Sequence, residues 1–142
     1  MTFDFYTDTG FLTSIAPQDI TGDINGAGID VRNFNAVAVF VACGANGTDG
    51  SNYLEFALEE SVDNSTFTPV VDAELLQYVA GGQVGTFGVL NTGAAATFGT
   101  GYRGNKPYIR IVAKETGTVA DALVSGQVVA GCPTASGVNA VT

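Results

Sequence analysis

Apolar and polar residues alternate along much of this chain with a period of two, which is the spacing typical of β-strands. In residues 53–59, Leu54, Phe56 and Leu58 alternate with more polar side chains. Residues 108–114 repeat the pattern, with apolar side chains on one side and two cations on the other. Both stretches predict strands that have one buried face and one solvated face.

Two other stretches predict longer or more deeply buried strands. Residues 36–43 are apolar on both faces, so we expect a strand covered on both sides, by a second sheet or by a neighbouring subunit. Residues 122–130 predict a further long strand. Between the strands, residues 44–52 have the composition of a loop, and residues 63–65 have that of a hairpin connection.

The spacing of strands and turns predicts an all-β fold, an antiparallel β-sandwich or jelly-roll in a single domain with at most one short helix. The helix is expected at residues 72–78, where Asp72 is placed to cap the N-terminus. Gly81 and Gly82 are placed to end it.

Residues 81–101 contain no charged side chain at all, and two interpretations of this segment are open. It forms a pair of thin strands packed under the sandwich, or it forms a long loop that lies on a partner. A structureless loop of about 20 residues is uncommon inside a compact domain. We therefore favour irregular strands that are at least partly covered.

Composition narrows the range of functions. The 142 residues suffice for one domain with a substantial core, and 46% of them are hydrophobic. Only 13% are charged, about half of the usual fraction, and the net charge is −9. The chain has no His, which excludes Ser-His-Asp and Cys-His catalysis. The acidic balance argues against bulk binding to nucleic acid, because phosphates require cations to neutralise them.

The sequence predicts a soluble protein made in the cytosol. The N-terminus lacks the basic start and apolar run of a signal peptide. The longest apolar run, residues 36–43, is far shorter than the ~20 residues that span a bilayer, so no membrane partner is expected. Cys43 and Cys132 form a disulfide or remain free, and a reducing cytosol favours two buried free thiols.

Oxygen-bearing side chains gather around a Gly-rich turn in residues 19–30, and such groups are ligands for calcium. They are Asp19, Asp23, Asn25 and Asp30. An EF-hand register fails, because aligning Gly26 with its glycine places Thr21 first and Arg32 last, where a Glu is required. We favour a loop that uses these residues for turns, with no metal and no cofactor.

Two other functions, glycoside hydrolysis and carbohydrate binding, have less support than a structural role for the same residues. Glu55 and Glu59 share a strand face, and paired carboxylates hydrolyse glycosides, but a solvated sheet face explains them more simply. We therefore expect no enzymatic activity. A carbohydrate-binding β-sandwich module is a separate alternative, since the chain has five Tyr and nine Phe, although it has no Trp.

Four of the five cations cluster late in the chain and predict one cationic edge on an acidic protein. They are Arg103, Lys106, Arg110 and Lys114. Two interpretations are open. The cations pair across strands with Glu55 and Glu59, or they dock on an acidic partner.

The N-terminal segment is rich in aromatic residues, which are seldom left in water. They are Phe3, Phe5, Tyr6 and Phe11. The segment folds back on the core or inserts into a neighbour, and both interpretations are open. We divide the chain into an aromatic arm at residues 1–16, a β-sandwich domain at residues 17–133 and a C-terminal tail at residues 134–142.

Several stretches together resemble a family of small virion structural proteins of tailed bacteriophages. A Gly-Ile-Asp-Val-Arg-Asn-Phe segment leads into the apolar strand, and a Leu-Glu-Glu-Ser-Val-Asp-Asn-Ser-Thr-Phe-Thr hairpin follows. A Gly-Tyr-Arg-Gly-Asn-Lys-Pro-Tyr-Ile-Arg-Ile-Val stretch and a terminal Gly-Cys-Pro complete the order. These motifs occupy residues 28–34, 58–68, 101–112 and 131–133. The chain departs from the pattern in its uncharged insert at residues 79–100 and in a tail without basic residues.

The resemblance implies a non-enzymatic β-sandwich protein on the capsid surface of the virion. A capsid decoration protein is the leading role, and a neck or tail component is the alternative. The implied partners are the major capsid protein and further copies of the chain in a homotrimer. The surfaces that we expect to contact partners are the aromatic arm, the neutral insert and the basic edge, represented by Phe3, Phe5, Tyr6, Phe11, Phe87, Phe98, Arg103 and Lys106.

Overall fold

The computed structural model describes residues 9–133. Within this range the chain forms ten strands and one short 3₁₀ turn. The strands are β1 (Gly10–Ile20), β2 (Ile24–Asn25), β3 (Ile29–Asp30), β4 (Phe34–Cys43), β5 (Tyr53–Ser61), β6 (Thr68–Pro69), β7 (Thr86–Leu90), β8 (Ala96–Tyr102), β9 (Tyr108–Thr116) and β10 (Ala122–Pro133).

The strands form two antiparallel sheets that make one sandwich-like domain, which confirms the predicted all-β class. The four-stranded sheet has the order β1-β10-β4-β8. In the six-stranded sheet β9 pairs with β5, and the short strands β2 and β3 extend the sheet beside β9. On the other side, β6 and β7 both pair with β5.

The core lies between the inner faces of the two sheets. The predicted alternation in β5 and β9 is confirmed, because their apolar positions point inward and are fully buried. The six-stranded sheet contributes Leu54, Phe56, Leu58, Ile109 and Ile111, and the four-stranded sheet contributes Ile15, Val39, Val41, Val124 and Val128. Burial of side chains of this size stabilises the fold by about 1.5–3 kcal/mol each.

A buried serine ties the two sheets together at one side of the sandwich. The register of β1 against β10 shifts between Thr13 and Ile15, so Ser14 leaves the ladder. Its hydroxyl accepts a hydrogen bond from the Ile111 amide at 2.9 Å and donates one to the Ala27 carbonyl at 2.9 Å. The Ser14 carbonyl also accepts a bond from the Ala27 amide at 2.7 Å.

The uncharged segment confirms the prediction of partly covered strands, because it contains β7 and β8. These strands join different sheets, since β7 pairs with β5 and β8 pairs with β4. The chain therefore crosses from one layer of the sandwich to the other between Leu90 and Ala96.

The prediction of a helix at residues 72–78 is wrong, because only a single 3₁₀ turn forms, at Asp72–Glu74. Asp72 does not cap it and instead accepts a hydrogen bond from the Gly85 amide at 3.0 Å. The chain then continues into a bridge between Leu75 and Tyr102 and not into further helical turns. No helix within residues 9–133 is long and apolar enough to cross a membrane.

Strand β4 is covered on one face only within the described chain. Val39, Val41 and Cys43 are buried against the other sheet, whereas Ala36 and Ala38 are exposed. The expected second sheet therefore accounts for one face of the strand, and among residues 9–133 the other face keeps exposed positions.

Strand β1 begins at Gly10 and pairs with β10 from its first residue. The expected boundary of the arm at residue 16 thus falls inside a strand, because residues 10–16 belong to the four-stranded sheet. The remainder of the expected arm, residues 1–8, and the expected tail, residues 134–142, lie outside the described residues.

Replacing Ser14 with Ala should lower the free energy of unfolding by about 1–3 kcal/mol, because the buried Ile111 amide loses its partner and the Ala27 carbonyl loses a donor. Urea denaturation measures the change. The matched control is Ser51→Ala in an exposed loop, which should change stability by less than about 0.5 kcal/mol. Equal effects of the two substitutions would show that the Ser14 bonds add nothing to the fold.

Candidate interaction surfaces

The central part of the outward-facing side of the four-stranded sheet carries no charged side chain, and we name it the neutral face. It consists of Phe11 and Thr13 on β1, Ser125, Gln127 and Val129 on β10, Ala36, Ala38, Phe40 and Ala42 on β4, and Thr97, Gly99 and Gly101 on β8. Charged residues border it, with Asp19 beside Leu123 at one end and Arg103 just after β8.

The register of the strands arranges the neutral face in rows. Thr13, Gln127, Phe40 and Gly99 form a central row, in which the Thr13 hydroxyl donates to the Gln127 side-chain carbonyl at 2.9 Å. The absence of side chains at Gly99 and Gly101 leaves low areas, and the exposed Leu76 side chain lies over Gly101. The face is therefore a floor of small residues from which a few large apolar side chains rise.

The outward side of the six-stranded sheet has the opposite chemistry. Arg110 donates to Glu59 at 2.7 Å in an ion pair whose side chains are only 21% and 12% exposed. The Arg110 guanidinium also lies 4.2 Å from the centre of the Phe67 ring. Lys114 lies opposite Glu55 in the ladder. Pairing across strands, one of the two interpretations of these cations, is confirmed for Arg110 and Glu59.

The same geometry bears on the carboxylate pair. Four residues along an extended strand separate the backbones of Glu55 and Glu59 by about 13 Å, given the rise of about 3.3 Å per residue. Glycosidases hold their two carboxyl groups roughly 5–9.5 Å apart. Glu59 is in addition occupied by Arg110. The pair therefore has the arrangement of a solvated sheet face.

The four cations that the sequence analysis placed on one cationic edge lie on two successive elements of the chain. Arg110 and Lys114 lie on β9, whereas Arg103 and Lys106 lie in the loop that follows β8. Lys106 and Arg32 line one cleft, at the end of the four-stranded sheet where β4 begins. Within residues 9–133, neither Arg103 nor Lys106 forms an ion pair.

Arg32 is already neutralised by a neighbour. It forms an ion pair with Asp30, and this hydrogen-bonded contact lowers the pKa of the Asp30 carboxyl below its ordinary value. The Arg32 guanidinium also lies 5.3 Å from the centre of the Tyr108 ring. The charges that remain available at this end of the sandwich are therefore those of Arg103 and Lys106.

Tyr102 holds the loop that carries these two cations, a role that the sequence analysis missed. Its hydroxyl donates to Glu60 at 2.6 Å and accepts from the Lys106 amide at 3.0 Å. Burial, followed by the hydrogen bond to Glu60, raises the pKa of Tyr102, so the hydroxyl keeps its proton and remains a donor. The Gly-Tyr-Arg-Gly stretch at residues 101–104, which is typical of a loop, was the sequence feature that could have indicated this role.

The aromatic residues expected to contact partners have different environments. Phe11 is 56% exposed on the neutral face. Phe87 is only 4% exposed, because β7 turns it into the core, and its side chain is therefore not available to a partner. Phe98 is half-buried, with its ring centre 5.9 Å from that of Phe56. Phe3, Phe5 and Tyr6 lie outside the described residues.

The side chains considered for calcium are dispersed. Asp19 is exposed on β1, and Asp30 is paired with Arg32. Asp23 accepts a hydrogen bond from the Glu115 amide at 2.8 Å. Within the part of the chain that the structure describes, no three His, Cys, Asp or Glu side chains are grouped to hold a metal ion.

Both cysteines are free, but only Cys43 is buried, so the prediction of a buried thiol is wrong for Cys132. Cys43 pairs with Val124, whereas Cys132 lies at the far end of the same two strands, next to the pairing of Gly131 with Ala36. The strand rise places the two about 25 Å apart. A disulfide requires Cα atoms within about 7 Å, so the two cannot pair within one chain.

The two thiols should therefore differ in reactivity. Burial raises the pKa of Cys43 to about 11, so at about pH 8 this thiol stays protonated and reacts slowly. A colorimetric thiol assay on the native protein should show one fast equivalent from Cys132, and two in denaturant. The Cys132→Ser variant should lose the fast equivalent. Two fast equivalents in the native wild type would contradict the burial of Cys43.

No family model matches this chain, and no curated protein matches it. Among solved structures, it is similar to the SPBc2 prophage-derived protein YomS, with 18% identity over 87% of this chain and 94% of that one, at a TM-score of 0.47. It is also similar to the infectious bursal disease virus VP2 subviral particle, with 14% identity and a TM-score of 0.28. That match covers 89% of this chain and 42% of the other. At these TM-scores neither likeness carries a conclusion about function.

Proposed function

We propose that this chain is a non-enzymatic structural protein of a tailed-bacteriophage virion and that it decorates the capsid surface. The observation that carries the proposal is the neutral face. A chain with a net charge of −9 leaves most of one side of a sheet uncharged and partly apolar, with Asp19 only at its end. Permanent protein interfaces are depleted of charge in their centres in the same way, whereas solvated sheet faces carry polar and charged residues.

The resemblance to phage virion proteins supports the same role. Its motifs coincide with structural units, since residues 28–34 lead into β4 and residues 58–68 form the β5–β6 hairpin. Residues 101–112 include Tyr102 and the loop that it holds. The motifs thus mark the positions at which the framework turns, which are the positions that a shared fold would constrain.

The proposed mechanism is mechanical. Copies of the chain dock on the major capsid protein across capsomer boundaries after the shell expands. The interfacial area that they bury resists the internal pressure of packaged DNA. The protein is made in the host cytoplasm and ends on the outer surface of the virion. The acidic remainder of its surface faces solvent, because negative charge is repelled by the DNA inside.

The surface proposed to contact the shell is the loop that holds Arg103 and Lys106. Their charges have no acidic partner within residues 9–133, and the hydrogen bonds of Tyr102 keep the loop in one conformation. An acidic segment of a capsid subunit complements this loop. Because the loop is exposed, the attraction should weaken as salt concentration rises.

Replacing both Arg103 and Lys106 with Gln should weaken binding to expanded heads that lack this protein by about tenfold, because the complementary charge is lost. Co-sedimentation with such heads measures the affinity. Lys114→Gln, which removes one positive charge from the six-stranded sheet, is the control for loss of a cation elsewhere on the chain and should bind as the wild type does.

Immunogold labelling of intact virions tests the location. Label over the head supports decoration, whereas label confined to the neck or tail would favour the alternative structural role. A wild-type protein that binds neither heads nor tails and is absent from virions would overturn the proposed function.

A further inference from the structure

We propose that a second copy of this chain covers the neutral face, so that this face is the contact between copies. The inference rests on the proposed function, since it names the partner of the surface that carries it. It separates two roles, because the neutral face joins copies to each other while the loop with Arg103 and Lys106 meets the shell.

The size of the face is sufficient for a specific contact. Strands lie about 4.8 Å apart and rise about 3.3 Å per residue, so the shared part of β1, β10, β4 and β8 covers about 500 Å². Two copies would bury about 1,000 Å² together, which is about the lower limit for a specific interface. Leu76 and Leu123, which are 67% and 59% exposed, extend the apolar surface at its borders.

Among the two outer sheet faces of residues 9–133, the distribution of charge favours a second copy of an acidic chain at this one. Two copies that each carry −9 repel one another wherever their acidic surfaces meet. The ion pair of Glu59 and Arg110 lies on the opposite side of the sandwich, beyond the thickness of the core. A contact through the neutral face therefore buries no unpaired charge, which would otherwise cost several kcal/mol.

The polar groups of the face do not oppose its burial. The Thr13 hydroxyl and the Gln127 side-chain carbonyl already bond each other, so they do not depend on water for this bond. The other polar side chains are hydroxyls at Ser125 and Thr97, which rotate freely to find partners. Phe40 rises beside Gly99 at the centre and supplies the aromatic anchor that such interfaces favour.

Ala38→Glu tests the inference, because it places one charge in the neutral face at an exposed position where the folded chain has room. Light scattering of the wild type should give a mass twice 14.5 kDa, because a face that meets its own copy closes at two chains, and the variant should give 14.5 kDa. Ala95→Glu, an equal change at an exposed loop position, is the matched control and should keep the wild-type mass. Circular dichroism confirms that both variants fold.

A fluorescent probe provides a second measurement. The chain has no Trp, so Phe40→Trp introduces a single reporter on the neutral face. Its emission should shift to shorter wavelength as protein concentration rises, because assembly removes the indole from water. The shift should disappear when Ala38→Glu is added to the same chain.

The outcomes separate this inference from the proposed function. A wild-type monomer, or an Ala38→Glu variant that keeps the wild-type mass, overturns the inference. If monomers bind heads and Ala38→Glu abolishes that binding, the face meets the shell, and only the inference fails. If the wild type assembles through this face but binds neither heads nor tails, the inference stands and the proposed function fails.

Discussion

The packing of the two inner sheet faces is the interaction on which the rest of this structure depends. Leu54, Phe56 and Leu58 on one sheet are fully buried, as are Val39 and Val41 on the other. Because side chains alternate between the faces of a strand, this burial also determines which residues point outward. The two outer surfaces, and any function that they have, follow from the choice of the inner ones.

The two sheets share the chemistry of their inner faces and differ in that of their outer faces. The six-stranded sheet exposes charge and compensates part of it through Glu59 and Arg110. The four-stranded sheet has Phe40 and small residues on its outer face, and the charge on this face lies at its end, at Asp19. The scarcity of charged residues in the composition is therefore most marked on one surface and is not spread evenly over the molecule. Burial of such a surface removes apolar area from water without desolvating a charge, which is why we relate it to assembly.

Local patterns predicted the parts of the structure that local physics controls. The alternation in β5 and β9, the hairpin after Ser61 and the strands of the uncharged segment all agree with the sequence analysis. The errors arose where distant contacts override local preference. Asp72 bonds Gly85 instead of capping a helix, and Phe87 enters the core because β7 pairs with β5.

The sequence by itself determined the strands and, within each strand, which residues share a face, because that information lies in residues two positions apart. Only the tertiary structure decided which strands become neighbours. Phe11 and Val129, at opposite ends of the chain, lie side by side on the neutral face. The pairing of β1 with β10, and of β4 with β8, brings separate apolar positions into one surface. Such pairings depend on contacts between distant residues, which no local pattern contains.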